Sequence, residues 1–181
     1  MNARVPEFKL NAAQALAQVS RAWDDDIVHR LEEYIRIPAK SPMFDADWAK
    51  NGFIDAVISD AATWVEAQKV PGLTLEIIRL AGRTPVLFFE VPASSGAGAV
   101  APEKAASSQT VLMYGHLDKQ PEFTGWRSDL GPWSPKYEDG KLYGRGGADD
   151  GYAVYASIAA IQALKSQHMA HPRIVGLIET C

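Results

Sequence analysis

Between Asn11 and Ile37 the apolar positions Leu16, Val19, Trp23, Ile27, Leu31, Tyr34 and Ile35 recur three and four residues apart. That period keeps them on one side of a helix, so the spacing predicts an amphipathic helical region. The acids Asp24, Asp25 and Asp26 suit a helix N-terminus and predict that a second helix begins there, to be ended by Pro38 and Pro42. A third helix is predicted over 46–69, with Phe53, Val57, Ala61, Trp64 and Val65 along one side and Val70-Pro71-Gly72 as its stop. The period then changes. Residues 73–80 and 84–92 read as two strands of a hairpin joined through Ala81, Gly82 and Arg83. The small, polar stretch 93–109 reads as a surface loop between strands.

The runs TVLMYGH (110–116) and RIVGLIETC (173–181) are continuous and apolar, as expected of strands buried on both faces. Between them, KYEDGKLYGRG (136–146) carries Asp139-Gly140, the signal of a type I′ hairpin. A helix is predicted from Asp149 through Val154, Ile158, Ile161 and Leu164 to about Gln167. Strand, crossover helix and strand make a βαβ unit, hence parallel pairing and a layered α/β sheet. The length of 181 residues suits one domain. In such sheets ligands bind at the carboxyl ends of strands, where His116 and Asp118 fall.

Composition narrows the classes. Apolar residues at 47% and charged residues at 22% are the ordinary range of a soluble globular protein. A net charge of -4 provides no basic field for nucleic acid or an anionic membrane. The single cysteine, Cys181, makes no internal disulfide. The first residues carry no apolar signal core, and no apolar run is long enough to span a membrane, so a cytoplasmic location is expected.

His116-Leu117-Asp118 is a weak motif by itself, equally a capped turn beside a solvated histidine. Its place at a strand end strengthens it. A metal-bound imidazole commonly gives its second N–H to a carboxylate, which fixes the ring, so His116 suits a ligand with Asp118 behind it. In GRGGADDG (144–151) a dinucleotide fingerprint would need glycine where Asp149 stands, and a phosphate loop would need Gly-Lys-Ser/Thr. What remains is a glycine-rich approach delivering Asp149 and Asp150 to a helix start, where either could also serve as an N-cap. A nitrogen donor and a carboxylate on neighbouring strand-end loops suit Zn²⁺, with Co²⁺ or Mn²⁺ as alternatives. A catalytic zinc takes three protein ligands, so two are too few. His168 and His171 fall at the far end of the helix and read as solvated surface histidines, His29 has no partner motif, and Glu179 returns to the active end of the sheet. No Gly-x-Ser-x-Gly occurs, and Cys181 has no identifiable base.

YGHLDKQP, Trp126, PWSPKYEDGKLYGRGGADDG and the helix after them resemble, over 114–151, the N-terminal part of the two-zinc aminoacylase, carboxypeptidase and dipeptidase family. The DKQP and ADDG details are closer to its carnosinase-like dipeptidases than to its desuccinylases. The resemblance implies a zinc-peptidase (phosphorylase/hydrolase-like) fold and a hydrolase acting on dipeptides or N-acyl amino acids. It implies that His116 is a ligand of one of two zincs, that Asp118 is its supporting catalytic carboxylate, and that Asp149 bridges the metals with Asp150 as a neighbour. Gly151 departs from the lysine that many relatives have there. In relatives a strand like IVGLIET leads into a Glu-Glu pair, the general base and a further ligand, followed by a lid or dimerisation domain and a last histidine. The expectation is that 1–181 is the N-terminal portion of the catalytic domain, with the lid and C-terminal part absent, and is inactive alone. A second expectation, of another class, is a non-catalytic module that binds a peptide, self-associates or pairs with a completing chain, motivated by an apolar edge at RIVGLI.

Overall fold

The computed structural model describes residues 9–95 and 109–181, so most of the predicted loop 93–109 lies outside the described residues. Helix α1 (Ala12–Ala22) is capped by Asn11, whose side chain accepts from the Gln14 N–H, and passes through one wider turn at Trp23–Ile27 into α2 (Val28–Arg36). The three aspartates sit in that turn and do not start a separate helix, because the chain stays α-helical on either side of them. Leu16 is 69% exposed, Val19 and Trp23 pack half-buried against the core, and the stripe is fully buried from Ile27 onward at Ile27, Leu31, Tyr34 and Ile35. The third helix divides at Gly52, whose left-handed backbone (φ 74°) separates a single turn, α3 (Trp48–Asn51), from α4 (Phe53–Ala67).

Strands β1 (Thr74–Ile78) and β2 (Val86–Val91) form the antiparallel hairpin, and β3 (Thr110–His116) and β6 (Arg173–Glu179) form the parallel pair linked by α5 (Tyr152–Ser166). The sheet order is β1-β2-β6-β3. A small second sheet pairs β4 (Lys136–Glu138) with β5 (Lys141–Tyr143) through Asp139 and Gly140, both at positive φ as the type I′ turn requires.

Alternation along the strands sets the layering. Leu87, Phe89 and Val91 of β2 lie opposite Ile178, Gly176 and Ile174 of β6, all on the face covered by helices. There they meet Ile58 and Val65 of α4 and Ile158 and Ile161 of α5 in one core. Gly176 is required: a Cβ there would lie 2.0 Å from the Phe89 ring. The opposite face carries Phe88, Leu177, Leu112 and Tyr114, and no described helix packs on it. The expectation of strands buried on both faces is therefore corrected. In β3, Leu112 is 62% and Tyr114 55% exposed, while β6 alternates buried and half-buried positions. The apolar edge is also not RIVGLI. Strand β6 is paired on both sides, and β1 and β3 are the edges among the described residues.

Candidate metal centre

The two motifs meet at the carboxyl end of the parallel pair. His116 closes β3 opposite Glu179 of β6, and the Leu117 N–H donates to the Glu179 carbonyl at 2.9 Å, which fixes where the following loop leaves the sheet. Past that point Asp118 and Lys119 turn back into the protein and are buried. The other loop arrives from β5. Gly146 is left-handed (φ 86°), and Asp149 is extended (φ -134°, ψ 85°), so α5 starts at Tyr152 rather than at Asp149. The Asp149–Asp150 peptide is cis. Both aspartates are thus on the approach to the helix, not in its first turn, and neither side chain caps it.

Nε2 of His116 stands 3.4 Å from Oδ1 of Asp149, whose side chain is 63% exposed. On the other edge of the ring, Nδ1 is 3.2 Å from the Asp118 carbonyl oxygen and 3.2 Å from Asp118 Oδ1. The carbonyl is the aligned hydrogen-bond acceptor; Oδ1 is close but has no aligned donor among the described residues. With two acceptors on that side, Nδ1 is placed to donate toward Asp118, and Nε2 faces the Asp149 carboxylate. Burial pushes the Asp118 carboxyl above the ordinary aspartate range, with the His116 charge opposing. Asp150 is also raised by burial, opposed by His116, whose backbone N–H it accepts, so its carboxylate ties the second loop to β3. Gly115 leaves room for it, since a Cβ there would lie 3.0 Å from Asp150 Oδ2 and 2.5 Å from the Ala153 Cβ.

A ring nitrogen and a carboxylate oxygen at this separation make an ion pair when the ring is protonated, or leave a place for a cation between them. Two metal–ligand bonds of about 2.0 to 2.2 Å at a tetrahedral angle span roughly 3.4 Å, so the donors present fit one zinc-sized ion. Among the described residues no group of three histidine, cysteine or acidic side chains could hold a metal. The pair is a partial donor set. Of the remaining histidines, His168 is exposed and His29 lies beside Glu32 on the surface. His171 corrects the expectation of a solvated ring. It is 4% exposed, its Nε2 has no described partner, and it bridges Ser94 beside Arg173, which pairs with Thr110 at the opposite end of β3 from His116.

The loops are packed from beneath by α2. Tyr34 donates from its hydroxyl to the Leu117 carbonyl at 3.0 Å, and a Cβ at Gly151 would lie 2.2 Å from its ring. This accounts for glycine at 151, because Tyr34 occupies the space a side chain would need. Lys119 is the residue that sequence reasoning missed. The one available signal was a long cation placed directly after an apolar strand and a loop acid.

A family model, Peptidase family M20/M25/M40, matches residues 112–181. That segment carries both loops and is similar to this family. Succinyl-diaminopimelate desuccinylase of Methylobacillus flagellatus is 41% identical over 70 residues, which are 39% of this chain and 19% of that protein. The enzyme of the same name from Cupriavidus taiwanensis is 39% identical over 74 residues, or 39% of this chain and 18% of the other. Human carnosine dipeptidase 1 shares the fold with a TM-score of 0.60 and 24% identity, covering 93% of this chain and 34% of that one. The M20 metallo-carboxypeptidase Sso-CP2 from Sulfolobus solfataricus gives 0.58 and 23%, with 86% and 31% covered. The chain spans about a fifth of the curated relatives it matches and about a third of these solved chains. Among the described residues no helix is long and apolar enough to cross a membrane.

Proposed function

We propose that this chain supplies His116 and Asp149 to a two-zinc hydrolase, with Co²⁺ or Mn²⁺ able to replace zinc, that cleaves the amide bond of dipeptides or N-acyl amino acids. The observation that carries the reading is the 3.4 Å approach of His116 Nε2 to Asp149, with Nδ1 turned to Asp118. Bound metal supplies Lewis acidity and a water of lowered pKa. The residues of this chain supply the setting. Asp118 holds the Nδ1 proton and so keeps Nε2 available. Asp149, largely exposed, faces outward from the loop toward solvent and substrate. Asp150 keeps the loop on β3 by accepting the His116 N–H.

In this reading 1–181 is the N-terminal portion of the catalytic domain and works only with a further donor set. Support comes from the two-donor pair and from the uncovered apolar face of Phe88, Leu112, Tyr114 and Leu177. The same face, with the unpaired edge of β3, favours a second reading of the partner: a completing chain or second copy that adds a strand beside β3. The lone cysteine and the acidic net charge support a cytoplasmic setting without nucleic acid or membrane.

The test is hydrolysis of a panel of dipeptides and N-acyl amino acids. The polypeptide in which these residues occur in the cell is expected to release amino acids in a zinc-dependent, chelator-sensitive manner that His116→Ala abolishes. The 181-residue chain alone is expected to be inactive. Turnover by that chain at ordinary enzyme rates overturns the incomplete-site reading, and an inactive cellular protein across the panel overturns amide hydrolysis.

A further inference from the structure

Lys119 is fully buried, yet it is not paired with any described acid. Its Nζ donates to the carbonyls of Tyr34 and Ile37 at 2.5 Å each, lies 3.4 Å from that of Ile35, and sits 3.8 Å above the Tyr34 ring centroid. These carbonyls end α2 and its C-cap; those of Tyr34 and Ile37 also accept the Ile37 and Ala39 N–H groups, at 3.1 and 2.8 Å. An apolar side chain of similar length would fill the same space at a lower desolvation cost but would remove the shared donor that ties these carbonyls to the 117–119 loop. Its backbone is held as well, with the N–H donating to Ala39 at 2.8 Å and the carbonyl accepting from Ser41 at 3.0 Å.

The same side chain touches the second loop. A Cβ at Gly146 would stand 2.8 Å from both Cγ and Cε of Lys119, so the backbone at 146 rests on the lysine stem. Tyr34, beneath the ammonium, holds Leu117 through its hydroxyl and crowds Gly151 with its ring. Lys119 and Tyr34 therefore contact the His116 loop at 117–119 and both ends, 146 and 151, of the turn that carries Asp149.

We infer that Lys119, seated on Tyr34, is a positioning residue: a buried peg that fastens both donor-bearing loops to the end of α2 and thereby sets the separation of His116 from Asp149. It reaches the donors only through the loops. The inference rests on reading that pair as a site, and a metal-free measurement keeps the two claims apart.

The experiment compares Lys119→Met, which keeps the apolar stem and removes the donor, with Phe89→Leu, a core substitution away from the loops, after matching both for loss of stability by temperature. In metal-free protein, nitrogen NMR of the His116 ring and hydrogen exchange of the 116–119 and 146–151 amides are recorded. Lys119→Met is expected to shift the His116 ring nitrogens and raise exchange in both loops at least tenfold over the Phe89→Leu control. Loop exchange and ring shifts equal to the control overturn the inference. If Lys119→Met does not fold, Tyr34→Phe, which removes only the hydroxyl bond to Leu117, is expected to move the same signals in the same direction, and unmoved signals overturn it. A zinc titration forms the last arm. Affinity lower by tenfold or more in Lys119→Met than in the control supports the peg, and affinity equal to the control counts against it. A wild-type chain that ignores zinc while its ring signals still answer to Lys119→Met overturns the metal reading and leaves the peg standing.

Discussion

Tyr34 and Gly151 meet so closely that a methyl group on the glycine would lie 2.2 Å from the ring, although one belongs to the helix that opens the fold and the other to the loop of the candidate metal centre. The contact explains why the aspartate pair is followed by glycine here, and why the depth of α2 matters to a site it does not enter. Gly151→Ala is expected to destabilise the chain by about 1–3 kcal/mol through overpacking. A second change, Tyr34→Leu, which trims the ring, should return part of that loss. Urea midpoints of the two variants and their combination check this, and independent, additive effects count against the contact.

Much of this arrangement is legible in the sequence, and the failures have physical causes. The hairpins, the βαβ unit and the convergence of His116 with Asp149 follow from period, turn residues and strand-end placement. Burial on both faces of β3 does not follow, because a continuous apolar run reports what a strand would bury and not whether a covering layer is present. The break at Gly52 is invisible to a stripe of Phe53, Val57 and Trp64 that lies wholly on its C-terminal side. The start of α5 is misplaced by reading acids before an apolar run as caps, whereas Asp149 and Asp150 have non-helical backbone and lie beside His116. Lys119 was hidden because a lysine is rarely a core residue unless carbonyls at a helix end receive it.

The core itself allows a firm expectation. Phe89 is fully buried, and its ring lies over Gly176 of the neighbouring strand. Phe89→Ala should cost about 3–5 kcal/mol by lost burial and a residual cavity. Gly176→Ala should also destabilise, since its methyl would fall 2.0 Å from that ring. Thermal unfolding followed by circular dichroism checks both, and a wild-type midpoint in either variant contradicts the packing.

Burial pushes the Lys119 ammonium from its ordinary 10.5 down to about 7, while the carbonyls of Tyr34 and Ile37 work against the fall by solvating the charge. Between those two values the unfolded chain binds more protons than the folded one. The contribution of this group to stability is therefore fully present above 10.5 and is lost as pH falls toward about 7. Lys119→Met should be less stable than wild type yet show a flatter dependence on pH across this window. Parallel slopes of denaturation midpoint against pH in the two proteins contradict the assignment.

The donors make separable contributions. Asp149→Asn keeps the shape of the side chain but removes its charge, and should weaken zinc binding by roughly one to two powers of ten. Asp118→Asn should have a smaller effect, because the Asp118 backbone carbonyl still accepts from Nδ1. Calorimetric zinc titrations rank the variants, and an Asp118→Asn loss exceeding that of Asp149→Asn reverses the roles assigned here.

The most direct measurement is the zinc-edge anomalous difference map of crystals of the 181-residue chain grown with zinc. A peak lying between Nε2 of His116 and the carboxylate of Asp149, within bonding distance of both, is the predicted result. Zinc elsewhere only, with these two side chains turned away from each other, contradicts the account.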